Sequence, residues 1–263
     1  MPALSSVPIG AASGSFAMND SRKTREIFPL TGLDFVEWHP SEGWEYAVEM
    51  LDVKTLSIHL PKIKGDPKKQ AEVIGYLDYL AKVDSANVLG AVLHPDQDYD
   101  WSIFGDGANI CIENLDATRP GFQTPEDLQK FFQRLPKARL CFDIGHAFAV
   151  DPSGKVAHAL VDALGDRISH LHISHVEPNG AHHVLQTEDC RKFWPVLNKL
   201  RPLPFVLEPD VNMPPSVLHA QRDMLAAWLP ARMAPELPAV PSILNLTKMG
   251  STPCQQVHAG LSR

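Results

Sequence analysis

Short apolar runs of strand length recur along the chain. They lie at residues 33–38 (LDFVEW), 55–60 (TLSIHL), 88–94 (VLGAVLH), 109–114 (NICIEN), 139–144 (RLCFDI), 168–174 (ISHLHIS) and 204–208 (PFVLE). Each is rich in β-branched and aromatic residues and is followed by polar or turn-forming sequence, which predicts strands. Amphipathic stretches of helical period separate most of them. In 124–135, Thr124 is placed as N-cap, Pro125 at the first helical position and Asp127 at a capping-box spacing. Leu128, Phe131, Phe132 and Leu135 then follow the i, i+3, i+4, i+7 pattern of one buried stripe. Further helices are predicted over 67–82 (stripe Ala71, Ile74, Leu77, Leu80, Ala81), 155–165 (Val156, Ala159, Leu160, Ala163, Leu164, closed by Gly165), 188–200 (Phe193, Val196, Leu197, Leu200) and 216–229. The segment 95–108 has no such stripe, so that crossover is expected to be a loop. Residues 1–20, rich in Ser, Ala and Gly, predict at most a weak first strand near Leu4–Gly10.

Strands alternating with helices specify parallel β/α structure. Seven or eight units fit closure into a (β/α)8 TIM-type barrel better than an open sheet, with an irregular or missing helix at 95–108. The expected organisation is one barrel domain over residues 1–229, its first 20 residues weakly ordered. Residues 230–263, with five prolines and little periodicity, are expected to form a loosely packed or disordered tail.

The 263-residue length suits one such barrel. A net charge of −7 argues against a general affinity for nucleic-acid backbones. The cysteines Cys111, Cys141, Cys190 and Cys254 form no CxxC pair, so neither a disulfide framework nor a zinc ribbon is expected. No signal-peptide pattern and no membrane-length apolar run stand in the sequence. The expectation is a cytoplasmic protein without membrane attachment, compatible with a homo-oligomer.

The strand ends carry the candidate chemistry. In order they are His59, His94, Glu113-Asn114, Asp143 with His146 three residues on, His170 and His172 with His175 beyond, then His182 and His183, and finally Glu208. In a (β/α) barrel these ends converge on one mouth. Imidazoles and carboxylates together suit a divalent ion: Zn, Mn, Fe or Co. Glu37, ending the first clear run, is a candidate substrate-binding carboxylate. Trp101, with Trp38 and Trp44, is a candidate apolar wall at the mouth, and His175 a candidate lining residue. His39, His158, His219 and His258 read as surface or helix residues.

The segments SIHLP, VLHPD, CIENLD, CFDIGHAFAVDP, HLHISHVEPNGAHH and VLEPD resemble, in order, the signature of the xylose isomerase-like TIM barrel superfamily, which joins sugar isomerases and epimerases to endonuclease IV. The resemblance spans about residues 30–210. It implies one ion held by Glu113, Asp143, His172 and Glu208. It implies further ions, in the endonuclease, at His59 and His94 (sharing Glu113) and at His146 and His183 with an Asp. Ala181 stands where that Asp is expected, so a complete trinuclear centre is not predicted; His182 is the available substitute.

The leading expectation is a metal-dependent isomerase or epimerase acting on a sugar or related polyhydroxy carbonyl compound, with Glu113 and Glu208 as the proton-transferring carboxylates. The alternative is an endonuclease IV-like phosphodiester hydrolase. Against it stand Ala181, the acidic charge and a basic cluster limited to Lys62, Lys64, Lys68 and Lys69. A third reading is a barrel that binds metal or sugar without turnover.

Overall fold

In a computed structural model that describes residues 7–51, 55–83 and 88–228, eight parallel strands close into a barrel. They are β1 (Ile9–Ala12), β2 (Phe35–Trp38), β3 (Leu56–His59), β4 (Val88–Leu93), β5 (Ile110–Glu113), β6 (Arg139–Asp143), β7 (Ile168–Ile173) and β10 (Phe205–Leu207), which pairs with β1 to complete the ring. Between β7 and β10 a two-stranded antiparallel hairpin, β8 (His175–Val176) and β9 (His182–His183), rises from the mouth. The first strand lies at 9–12 rather than 4–10; Ala11 and Ala12 are fully buried there. Expectations for residues 230–263, including Cys254 and His258, lie outside the described residues, as do those for residues 1–6.

The outer layer comprises α1 (Gly14–Ala17), α2 (Ser21–Ile27), α3 (Trp44–Leu51), α4 (Pro67–Leu80), α5 (Pro125–Arg134), α6 (Ile144–Val150), α7 (Lys155–Leu164), α8 (Thr187–Leu197) and α9 (Pro215–Trp228). The capping box at Thr124 and Asp127 forms as expected. Between β4 and β5 only a 3-10 turn, Trp101–Phe104, interrupts the loop. Two stripes differ from expectation. In α4 the inward residues are Val73 and Leu80, while Ile74 is exposed. In α7 they are Ala157, Leu160, Val161 and Leu164. Both helices present an alternative i, i+3, i+4, i+7 set, and in α4 Tyr76 and Tyr79 reinforce it by packing edge-on against Trp44. Among the described residues no helix is long and apolar enough to cross a membrane.

The main core fills the space between barrel and helices. Inside the barrel, apolar packing is confined to two small groups: Ala12, Phe35 and Val206, and Val92, Cys111 and Cys141. At the lower end Arg139 donates from Nη2 to the Leu89 carbonyl, which also accepts from Ser169 Oγ at 2.8 Å and Cys111 Sγ at 3.2 Å. The barrel interior is therefore plugged below, and its polar content rises toward the mouth.

Gly90 shows how closely this interior is fitted. Its φ is +137°, and a Cβ there would meet Cys111 Sγ at 2.7 Å and the Asn109 carbonyl at 2.9 Å. Gly90→Ala is expected to lose about 1–3 kcal/mol in urea unfolding, as overpacked cores do. Gly75→Ala, on α4 with open space around it, is expected to gain about 0.5–1 kcal/mol from helix propensity. Equal effects of the two would contradict this packing.

Candidate metal centre

The upper ends of the strands deliver Glu37, His59, Glu113, Asp143 and His172, and the residues just past β4 and β10 add His94 and Glu208. All are buried except Glu208, whose side chain is 16% exposed. One ligand atom each from Glu113, Asp143, His172 and Glu208 lie within 4.8 Å of one another. Two further groups of this kind adjoin the quartet and share its members: His59, His94 and Glu113 on one side, Asp143, His146 and His182 on the other.

Local structure aims these groups. Asp143 is the N-cap of α6: its Oδ1 accepts the His146 backbone N–H at 2.7 Å, leaving Oδ2 to face the centre. The helix starting there sets His146 over the same carboxylate, 3.5 Å away. Asn114 bridges β5 and β6, donating to the Asp143 carbonyl at 2.8 Å and accepting its N–H at 2.9 Å.

Carboxylates and imidazoles are packed together here with few hydrogen bonds between them. Glu113 Oε2, Asp143 Oδ2, Glu208 Oε2, His59 Nε2 and His172 Nδ1 are all buried without a hydrogen-bond partner. His172 Nδ1 and Glu208 Oε2 are 2.6 Å apart but not aligned as a hydrogen bond. Unpaired buried polar atoms cost roughly 1–3 kcal/mol each, and charged ones more. Burial raises the Asp143 carboxyl above its ordinary range, with Glu113 and Glu208 adding to the rise against the pull of His146. Glu208 is driven the other way: burial opposes ionisation, but His172 holds its carboxyl down to about 2.

The outer nitrogen of each imidazole tells which nitrogen faces the centre. His172 Nε2 lies 3.0 and 3.1 Å from the two oxygens of Glu37, an acceptor also bonded by Ser57 Oγ at 2.7 Å. Nε2 therefore carries a hydrogen, and Nδ1 is the ring atom turned to the quartet, 2.6 Å from Glu208 Oε2. His146 Nδ1 donates to the Asn114 carbonyl at 2.9 Å, and His182 Nδ1 to the Glu208 carbonyl at 3.1 Å. Their Nε2 atoms face each other 2.9 Å apart beside Asp143. Two ligands on one tetrahedral ion with bonds of about 2.1 Å sit about 3.4 Å apart. His172 Nδ1 to Glu113 Oε1, at 3.6 Å, matches this spacing. By its donor chemistry the quartet suits a divalent ion; His172 Nδ1–Glu208 Oε2 and His146 Nε2–His182 Nε2, at 2.6 and 2.9 Å, are closer than that spacing.

Several expectations shift in detail. His183 is not brought to the centre; it lies 3.3 Å from Glu177, with both side chains more than 40% exposed. The hairpin register opposes His175 to His183 and Val176 to His182. Alternation along a strand then sends His182 inward and its neighbour away. His175 shares the outward face, bonding Asp189 Oδ1 from Nδ1 at 2.8 Å and lining a side cavity of about 230 Å³ with Phe148, Lys192 and Phe193. Glu37 lies fully buried beneath the quartet, orienting His172 rather than facing the opening. Trp101 packs on Tyr99, Phe104 and Phe131, under Arg134, in the loop that covers α5. Trp44 is likewise packed on helix tyrosines and Trp38 is buried, so no tryptophan wall forms.

His39, expected as a surface or helix residue, instead stands at the site: its ring lies 4.6 Å from that of His59, and it joins Glu37, His59 and Glu208 in a further close group. Sequence reading passed over Arg119, whose Nη1 is 2.8 Å from His94 Nδ1. His39 directly follows β2, as His94 follows β4, so the strand-end pattern did mark its position; Arg119 lies in the loop after β5, where that pattern carries no signal.

Residues 103–221 match the family model described as xylose isomerase-like TIM barrel, so the resemblance read from the strand ends holds from the loop before β5 into α9. No curated protein matches the sequence. Among solved structures, a D-tagatose 3-epimerase-like protein is similar at 17% identity and TM-score 0.57, covering 86% of this chain and 98% of that one. Endonuclease IV from Thermus thermophilus is similar at 19% identity and TM-score 0.57, with 85% and 99% covered. A xylose isomerase-like TIM barrel protein from Mycobacterium smegmatis, in complex with magnesium, is similar at 14% identity and TM-score 0.56, with 86% and 98% covered. At these identities the likeness is one of fold.

The geometry separates the two neighbouring histidines. After zinc loading and removal of free metal, His182→Ala is expected to hold about one ion fewer per chain than the native protein, by elemental analysis, and His183→Ala the native number. The reverse order would contradict the hairpin register.

Proposed function

We propose that this chain is a metal-dependent phosphoester hydrolase whose centre holds more than one divalent ion. The observation that carries the reading is the His146–His182 pair, two imidazoles with Nε2 atoms 2.9 Å apart beside Asp143. A hydrolase that spreads charge over two positions has a use for such a pair. Ala181 had counted against that arrangement in the sequence; His182 supplies a ligand from the adjoining position. The quartet would be held by Glu113, Asp143, His172 and Glu208, and the second position by Asp143, His146 and His182. Bound there, divalent ions supply Lewis acidity and lower the pKa of water.

The chain's own groups do the rest. Asp143, common to both ligand groups, fixes their spacing. Glu37 and the Asn114 and Glu208 carbonyls keep the opposite imidazole nitrogens inward. Beside His59 opens a cavity of about 310 Å³ lined by Asn19, His39, Lys62 and Lys69 among others. Its two lysines give the mouth a cationic wall suited to a phosphate oxygen. Two of the four lysines of the basic cluster, Lys62 and Lys69, thus border the cavity beside His59.

The sugar isomerase or epimerase reading keeps one specific support: in the quartet, Glu113 and Glu208 flank His172, a pair of carboxylates able to take and return a carbon-bound proton. One experiment separates the two. The manganese- or zinc-loaded protein is assayed on a chromogenic phosphodiester, on abasic-site DNA and on a ketose panel in D₂O. Phosphodiester cleavage is expected, with Asp143→Asn losing at least about 100-fold in kcat/KM, since even outer partners of metal ligands cost 10–100-fold. Deuterium entering a ketose, with no ester cleaved, would overturn the hydrolase reading in favour of the isomerase.

A further inference from the structure

The third ligand group, His59, His94 and Glu113, is where the family resemblance implies another ion, and one member does not fit. Arg119 Nη1 lies 2.8 Å from His94 Nδ1. A guanidinium has only donors and stays charged, so Nδ1 must accept. The hydrogen of the neutral ring is then on Nε2, which faces Glu113 Oε2 at 3.1 Å. His94 thus points a hydrogen where a ligand must offer a lone pair. His59 is the opposite case: its Nδ1 faces the Leu60 carbonyl at 3.2 Å and its Nε2 is left without a partner. His146, His172 and His182 likewise have acceptors behind them. Among the histidines of these three groups, His94 alone is backed by a cation.

Arg119 is itself held in place. Its Nε is 3.5 Å from Asp116 Oδ2, a side chain 1% exposed, and its Nη1 is 3.7 Å from Asp96 Oδ2. Asp116 is in turn fixed by the Thr118 backbone N–H at 2.8 Å. The guanidinium therefore reaches His94 from a braced position in the loop after β5.

We propose that Arg119 stands in for the ion at this position: it fixes the ring of His94 with its Nε2 hydrogen turned toward Glu113 and provides the positive charge on that side of the mouth. The proposal rests on the metal-centre reading above. It leaves the centre with ions at the quartet and at the His146–His182 pair only.

The test compares ion counts. Metal-free protein is loaded with zinc, freed of excess by gel filtration and measured by elemental analysis. Arg119→Ala is expected to hold one ion more per chain than the native protein. Arg119→Lys, which keeps a donor and a charge, is expected to hold the native number. Arg119→Ala combined with His94→Ala is expected to lose the extra ion. An unchanged count in Arg119→Ala, or a native count that drops in His94→Ala alone, would overturn the proposal. Should Arg119→Ala not fold, the native ring decides. Nitrogen-15 spectra are expected to show His94 with its hydrogen on Nε2 before and after zinc loading; loss of that hydrogen on loading would overturn it. A native count below two would refute the two-ion reading and leave the comparison that judges Arg119 intact.

Discussion

At the mouth of this barrel, lone pairs converge with too few hydrogens to satisfy them. Three carboxylates and several imidazoles are buried within a few ångströms, and the atoms they turn toward one another are largely acceptors. Such an arrangement calls for positive charge, because each unpaired acceptor removed from water costs free energy. The rest of the architecture can be read as support for that concentration. Helices and the main core hold the strands from outside, the Arg139 plug closes the lower end, and the apolar fill inside the barrel stops short of the top.

The partners behind the imidazoles matter as much as the ligand atoms. Glu37 and the carbonyls of Asn114, Glu208 and Leu60 each receive a hydrogen from a ring and so turn its other nitrogen inward. One different choice, a guanidinium behind His94, reverses the sense of that ring. The same residue types at the same strand ends can therefore give different ion counts, according to what lies one contact further out. This is also why likeness of fold to both epimerases and an endonuclease leaves the chemistry to be argued from this chain's own contacts.

Much of this was legible in the sequence. The apolar runs located seven of the eight barrel strands to within a few residues, because a buried parallel strand is a continuous hydrophobic stretch. Glu113, Asp143, His172 and Glu208 stood out at strand ends, which converge on one mouth in this fold; the family resemblance grouped them, and the structure brings one atom of each within 4.8 Å of the others. What escaped depended on geometry that no local pattern encodes. The turn through Pro178, Asn179 and Gly180 sets the hairpin register, and a shift of one residue exchanges His182 for His183. Arg119 and His94 are 25 residues apart and meet across two loops. In α4 and α7 two apolar stripes competed on one helix, and aromatic neighbours from other elements decided for α4.

The most direct test of the account is an anomalous difference map from crystals of the zinc-loaded protein. The account predicts one peak within bonding distance of Glu113, Asp143, His172 Nδ1 and Glu208, and a second between His146 Nε2 and His182 Nε2. A map without peaks, with those side chains turned to hydrogen-bond one another or ordered water, would contradict it.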